Sequence, residues 1–399
     1  MPTREPEQER DIDRQGSPEL TALIRDEIDA AGGAVTFARF MALALYHPEH
    51  GYYLAPGRRP GRGGDFLTAP EASAYFGLTL ARQIAECWER LGRPVSWSIR
   101  EYGSGVGGLA YDVIAGLSTD APESLPGLRY RLVETNRTLT AQALAAMAAA
   151  GLGHLVEAED AGGGDLEPIV GVVLANEVAD AQPVHRLIVR DGALRERLVV
   201  WRDGGFADVE GPLSPPVADV AAQLAAAGVT LAEGDAVDVS PAAAAWFAHA
   251  CRGIGRGYAV VIDYGYPAST LYQAHRLTGT VRGYASHTVT DDPYFRVGEQ
   301  DLTAHVDFTA LERAAEGDGM RLAGFTTQGA MLASLGLGDL LVDLQRDPET
   351  SLPDYVSAQT VVMRLIDPGG LGRFGVLIMA KDAPVDPPLA AFATKPPPF

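Results

Sequence analysis

Apolar residues recur along this chain with two different periods, and the change from one to the other marks its organisation. After sixteen residues with almost no apolar content, Leu20, Leu23, Ile24 and Ile28 lie one, three or four apart, which gives a helix with one apolar face. Ser17 is placed to cap that helix, Pro18 suits its first position and Gly32-Gly33 stops it. A second short helix is predicted from Thr36 to about Leu45. The stretch YHPEHGYYLAPGRRPGRGGDFLTAPE supports neither period and reads as a long functional loop. Helical spacing returns near Ala72, with Phe76, Leu80, Ile84, Trp88 and Leu91 on one side, and ends at Gly92.

From Val95 the period shortens. The runs VSWSIRE, LRYRLVE, HLVEA and IVGVVLA alternate with helical stretches, the pattern of a doubly wound, mostly parallel α/β sheet. Residues 186–210 break it: RLIVR, RERLVVW and FADVEG, separated by Asp-Gly and Gly-Gly turns, predict an inserted antiparallel meander. Alanine-rich helices follow at about 217–227 and 241–252, before GYAVVIDYGY restores the parallel pattern. A helix from about Asp307, the strand RLAGFTTQ, further helix and the strand FGVLIMAK complete the fold, and the proline-rich tail after Asp382 is expected to run extended over the surface.

Composition restricts what such a chain binds. With 399 residues, 47% of them hydrophobic, it can bury a large core. A formal charge of −20 opposes any non-specific hold on nucleic acid or on an anionic membrane, and suits a neutral or cationic ligand. The opening residues lack the apolar run of a signal peptide and no stretch reaches bilayer length, so a cytoplasmic location is expected. Cys87 and Cys251 have no metal-ligand or redox spacing and read as buried thiols. His47 and His50 have ligand spacing, but Pro48 intervenes and no third ligand is evident, so no metal is expected.

The candidate chemistry starts at IREYGSGVGGLAYDVI, residues 99–114, which sets a glycine loop between a strand and a helix. Such a loop brings bare backbone and helix N-terminal amides to a ligand, or is simply a tight turn. Gly103, Gly105 and Gly108 match G-x-G-x-x-G, which alone says little in a chain with 45 glycines. Glu101, at the mouth of the strand, tilts the reading toward S-adenosylmethionine: a carboxylate there repels a pyrophosphate but suits the ammonium of a methionine moiety. Glu134, closing the next strand, can accept both ribose hydroxyls of a nucleoside cofactor. The two late strands fit an antiparallel closure of the sheet, where a nicotinamide domain would add another parallel strand.

Five segments, GDFLTAPEASAYFG, EYGSGVG, NEVADAQPV, VIDYGY and DLTAHVDFTAL, occur in the order found in MidA-like methyltransferases, and the chain resembles that family from about Leu20 to Lys381. The family includes the mitochondrial arginine methyltransferase needed for respiratory complex I assembly. The resemblance implies a class I methyltransferase, a Rossmann-like doubly wound sheet with antiparallel closing strands, an N-terminal helical region and an inserted meander. It implies S-adenosylmethionine as cofactor, lined by Glu101, Gly103, Gly105 and Gly107 with Glu134 on the ribose. Asn176 and Glu177 follow the fourth strand, where class I enzymes place acceptor-binding or catalytic groups; Asn176 is assigned here to the cofactor and Glu177 to catalysis. The sequence departs from the family at Val106, where relatives carry Arg, and at Val178-Ala179, where they carry a bulky apolar pair whose loss is expected to reshape the acceptor pocket.

An arginine acceptor, and with it a protein substrate, follows from the resemblance alone. A guanidinium needs carboxylates that draw its charge away from the reacting nitrogen. Glu177 and Asp180, three apart on a loop or first helical turn, can face the same way; otherwise Asp180 caps a helix and Glu177 is solvated. His305, just ahead of a helix that Asp307 can cap, either orients a carboxylate and accepts a proton or packs structurally. Asp65 and Glu71 reach the site if the loop at 51–71 is a lid; Arg58, Arg59 and Arg62 in that loop are solvated or contact a protein acceptor. The expected division is a tail at 1–16, a helical and lid region at 17–92, the core at 93–184 and 258–382 with the insertion at 185–257 between them, and a tail at 383–399. Three rivals stand: a scaffold that retains the cofactor site, a small-molecule methyltransferase, and a nicotinamide oxidoreductase that Glu101 disfavours.

Overall fold

The computed structural model describes residues 16–54, 74–162, 164, 166–273, 279–285 and 288–396. The chain divides into two compact units, each drawn from separated stretches: residues 1–66, 179–243 and 266–309 form the first, and residues 67–178, 244–265 and 310–399 the second.

The second unit carries the doubly wound sheet. Its elements include α1 (Ala74–Arg90), β1 (Trp97–Tyr102), α2 (Gly108–Asp120), β2 (Leu128–Val133), α3 (Arg137–Ala149), β3 (Val156–Glu159), β4 (Ile169–Asn176), β5 (Ile254–Asp263), β6 (Arg321–Thr327) and β7 (Gly375–Lys381), with further helices between β5 and β7. The strands lie in the order β6-β7-β5-β4-β1-β2-β3. From β5 to β3 every pairing is parallel, whereas β7 runs antiparallel to both β5 and β6. This is the class I arrangement expected, with β7 inserted between β5 and β6. After β3 the chain returns to lay β4 beside β1, so the strand order reverses between them, and in such sheets ligands bind at that reversal.

Strands covered on both faces must be apolar throughout, which is why β4 and β5 are near-continuous apolar runs. Strand β1, by contrast, buries two charged residues, Arg100 and Glu101. Arg100 is wholly buried, bound by Glu159 at 2.7 and 2.8 Å and by the carbonyls of Gly253 and Glu167. Helix α1 joins this unit's core through Phe76, Leu80, Ile84 and Trp88, although it follows the N-terminal region in sequence. The tail also departs from expectation. Leu389 and Ala391 are buried, the Ala391 amide donates to Gln83 at 3.0 Å, the Ala390 amide to Glu86 at 2.9 Å, and Arg90 donates to the Pro388 carbonyl at 2.9 Å, so apolar burial and three α1 side chains fix it.

The first unit holds the N-terminal helices, Pro18–Ala30 and Phe37–Tyr46, and the inserted meander. The Ser17 hydroxyl accepts from the Leu20 amide at 3.3 Å, the cap expected. Strands His185–Arg190, Ala193–Arg202 and Gly205–Gly211 form the meander, extended to five strands by Ala236–Val239 and Val35–Thr36. Those two strands are too short to show an alternation in sequence. Among the described residues no helix is long and apolar enough to cross a membrane.

Helices α1 and α2 approach closely at Gly116, where a Cβ would lie 2.5 Å from the Ala81 Cβ. Gly116→Val should therefore cost about 1–3 kcal/mol by overpacking, read as a lower urea midpoint at unchanged slope.

Candidate functional site

The carboxyl ends of β1, β2 and β4 bring most of the expected residues together within the second unit. The loop after β1 is held left-handed at Gly103, Gly105 and Gly107, with φ of 66°, 52° and 82°, conformations that glycine adopts without strain. Gly103 is required twice over, because a Cβ there would lie 2.7 Å from a γ-methyl of Val178. Among the described residues nothing lies within 4 Å of a Cβ placed on Gly105 or Gly108, and Gly107 leads directly into α2. The Gly105 amide donates to Glu134 at 3.0 Å, so the acid closing β2 also ties down the loop after β1. The other Glu134 oxygen accepts from the Asn136 amide at 2.9 Å, and Asn136 caps α3.

Glu101 is 3% exposed and its closest partner is a phenol: Tyr130 donates to it at 2.6 Å. Burial pushes the carboxyl up to about 8, the Tyr130 hydrogen bond works against that, and the charge of Glu134 adds to it. Burial likewise raises Asp112 of α2 to about 6. The Ser104 hydroxyl is buried without a hydrogen-bond partner among the described residues, and a cavity of about 580 Å³ opens beside Glu134, lined also by Arg137, Thr140, Glu159 and Asp160.

At the end of β4 the chain does not enter a helix. Glu177 is left-handed at φ 55°, which costs a residue with a Cβ on the order of 1 kcal/mol. The turn is held from β5: the Glu177 amide donates to the Ile262 carbonyl at 2.9 Å and the Val178 amide to Asp263 at 3.1 Å. Asp263 is wholly buried and accepts the Tyr264 amide at 2.7 Å through its other oxygen. Asn176 donates to the Glu177 carboxylate at 3.0 Å. Hence the helical-turn and helix-cap readings of Glu177 and Asp180 both fail, because β5 pins this segment as a loop. Of the Val178-Ala179 pair, Val178 lies against Gly103 and Ala179 is buried.

Asp180 and His305 belong to the first unit, where their segments are tied together by a 3.0 Å bond from the Ala304 amide to the Asp180 carbonyl. Tyr53 donates to buried Asp301 at 2.8 Å and stacks on Tyr46 at 5.5 Å. Burial, then Asp301, Tyr46 and Asp180, raise the Tyr53 phenol well above its ordinary value. Asp307 caps the helix after His305 by accepting the Thr309 amide at 2.9 Å. Asp65, Glu71, Arg58, Arg59 and Arg62, and with them most of the 51–71 loop read as a lid, lie outside the described residues. His47 and His50 stack at 5.2 Å, and among the described residues no group of three or more His, Cys, Asp or Glu is placed to hold a metal.

A family profile described as S-adenosyl-L-methionine-dependent methyltransferase matches residues 79–326. The chain belongs to this methyltransferase family. It is 30% identical over 331 residues to the mitochondrial protein arginine methyltransferase NDUFAF7 homolog of Drosophila melanogaster, covering 75% of this chain and 71% of that one. The Homo sapiens NDUFAF7 protein arginine methyltransferase, also mitochondrial, is 28% identical over 348 residues, 79% of this chain and 74% of its own. A crystal structure of a Burkholderia thailandensis protein bound to S-adenosyl-homocysteine superposes with a TM-score of 0.85 at 33% identity, over 98% of both chains.

The residues present fit this methyltransferase's cofactor chemically. Two strand-end carboxylates match an ammonium and a ribose diol, the glycine loop offers bare backbone with nothing among the described residues within 4 Å of a Cβ at Gly105, and Ser104 has a buried hydroxyl to give. Tyr130 and Asp263 were not singled out in the sequence. Asp263 ends a largely apolar strand, a signal available in VIDYGY, whereas Tyr130 is found only once the strand register is known.

Glu101 also sets a pH dependence of stability. Its folded value of about 8 lies above its ordinary 4.5, so between these the native state holds a proton that the unfolded chain gives up, and stability falls as pH rises. Glu101→Gln removes that cost. Its advantage in thermal unfolding of the ligand-free protein should be small near pH 4, grow through the window from about 4.5 to 8, and level at a gain on the order of 2–4 kcal/mol.

Proposed function

We propose that this S-adenosylmethionine-dependent methyltransferase acts on an arginine side chain of a protein. The single observation that carries the reading is the strained, left-handed Glu177, fixed from β5 at the point where the strand order reverses. Its support from outside the chain is the name of the curated relatives, protein arginine methyltransferase.

When bound, S-adenosylmethionine supplies a methyl group activated by a sulfonium. In our assignment Glu101 holds the ammonium of its amino-acid end, and the loop of Gly103, Gly105 and Gly107 lets the backbone approach. Glu134 accepts from the ribose hydroxyls with the lone pairs left after its bond to Gly105. Asn176 orients Glu177 through their 3.0 Å bond and borders the cofactor. Glu177 grips the guanidinium and draws its positive charge toward the nitrogens that do not react, which leaves electron density on the one that does. Asp180 and His305 lie in the first unit, and their roles, a second carboxylate for the acceptor and the group that takes up the released proton, are carried over from the sequence alone. The protein acceptor and the cytoplasmic location expected from the sequence belong to this proposal, the animal relatives being named as mitochondrial.

The test is transfer of labelled methyl from S-adenosylmethionine into cell extract by the purified chain, with protein-bound methylarginine sought after hydrolysis. Glu177→Gly should fold at least as stably as the parent, since glycine relieves the left-handed backbone, yet lose about 10²-fold or more in transfer. Label found in metabolites instead of protein would move the acceptor to a small molecule. Full transfer by Glu177→Gly would remove the carboxylate from the mechanism.

A further inference from the structure

We propose that Tyr130 is a positioning residue for cofactor binding, which lets Glu101 give up one proton to solvent when a cationic amino-acid end arrives. The inference rests on the assignment of Glu101 to the cofactor ammonium and extends it to a residue outside the loop.

Four observations carry it. Tyr130 is wholly buried in β2, two residues before Leu132, the residue paired with Glu101, and so on the same face of the sheet. Its hydroxyl points along that diagonal to Glu101 at 2.6 Å, a short bond of the kind made to a carboxyl group. The other ionisable groups that act on this pair, Glu134 on the end of β2 and Asp112 on α2, are both acids. Among the described residues no lysine or arginine forms an ion pair with Glu101. A dry carboxyl whose neighbours are a phenol and two acids is stable as the neutral acid, and becomes a carboxylate when a cation is supplied from outside. The proton balance is simple. Glu101 loses its carboxyl proton to water, the ammonium replaces the positive charge, and Tyr130, whose phenol burial and the nearby acids hold well above its ordinary range, keeps its own proton and donates to the new anion.

The experiment is calorimetric titration of the full chain with S-adenosylhomocysteine from pH 6 to 9, in two buffers of different ionisation enthalpy. 5′-Methylthioadenosine, which lacks the amino-acid end, is the control ligand. For the parent protein, affinity for S-adenosylhomocysteine should climb as much as tenfold per pH unit and flatten near pH 8, with close to one proton released at pH 7. The control ligand should release none. Tyr130→Phe should bind S-adenosylhomocysteine about 10–100-fold more weakly at pH 7, its rise continuing to higher pH, while its affinity for 5′-methylthioadenosine is unchanged. Glu101→Gln should abolish both the proton release and the pH dependence. If Tyr130→Phe matches the parent in affinity and profile while Glu101→Gln does not, Tyr130 is only a core residue and the proposal falls. If Glu101→Gln also matches the parent, the assignment of Glu101 itself is wrong. Should Tyr130→Phe fold poorly, the parent protein decides, because a flat profile without proton release overturns the coupling.

Discussion

The parallel pairing of β1 with β4 is the constraint on which the rest of the site depends. Because the two strands run the same way and pair from Ser98 with Gly171 to Tyr102 with Ala175, their carboxyl ends stop at the same edge of the sheet. The glycine loop and the segment from Asn176 to Val178 therefore emerge side by side, and Val178 reaches Gly103. A slip of one residue in this register would turn Glu101 to the opposite face and exchange it with Arg100. The two faces are not equivalent: one supplies Arg100 with Glu159 and two carbonyls, the other supplies Glu101 with a phenol.

That asymmetry explains how one strand carries two buried charged residues with opposite consequences. Arg100 is compensated within the protein, so it adds to the fold and has no further chemistry. Glu101 is left to a neutral donor, at a cost that the apolar sheet around it tolerates and that a cationic ligand removes. Glu177 is a second such expense, held in an unfavourable backbone conformation by hydrogen bonds from β5 and by the fully buried Asp263. Strain and a dry ionisable group both gather where the strand order reverses, as expected when binding energy is prepared in advance by the fold.

Much of this was legible in the sequence because it depends on local pattern. Runs such as IVGVVLA announce strands buried on both faces, and Glu101, Gly103 and Glu134 stand at fixed offsets from the strands that present them. The closing antiparallel strands were also readable, though not that β7 would enter between β5 and β6. What was hidden depends on register or on long-range pairing. Tyr130 gains meaning only opposite β1, and the strands Val35–Thr36 and Ala236–Val239 exist only through partners far along the chain. The segment after β4 stays open in the sequence for the same reason: spacing allows either a loop or a helical turn at Glu177 and Asp180, and β5 decides for the loop by claiming its amides. The assembly of each unit from three separated stretches leaves no mark in composition.

The most direct measurement is a crystal structure of this chain with S-adenosylhomocysteine bound. The account predicts the ligand along the carboxyl ends of β1 and β2, with its ammonium within hydrogen-bonding distance of Glu101 and its ribose hydroxyls on Glu134. An amino-acid end directed away from Glu101, with Tyr130 and Glu101 unchanged and still dry, would contradict it.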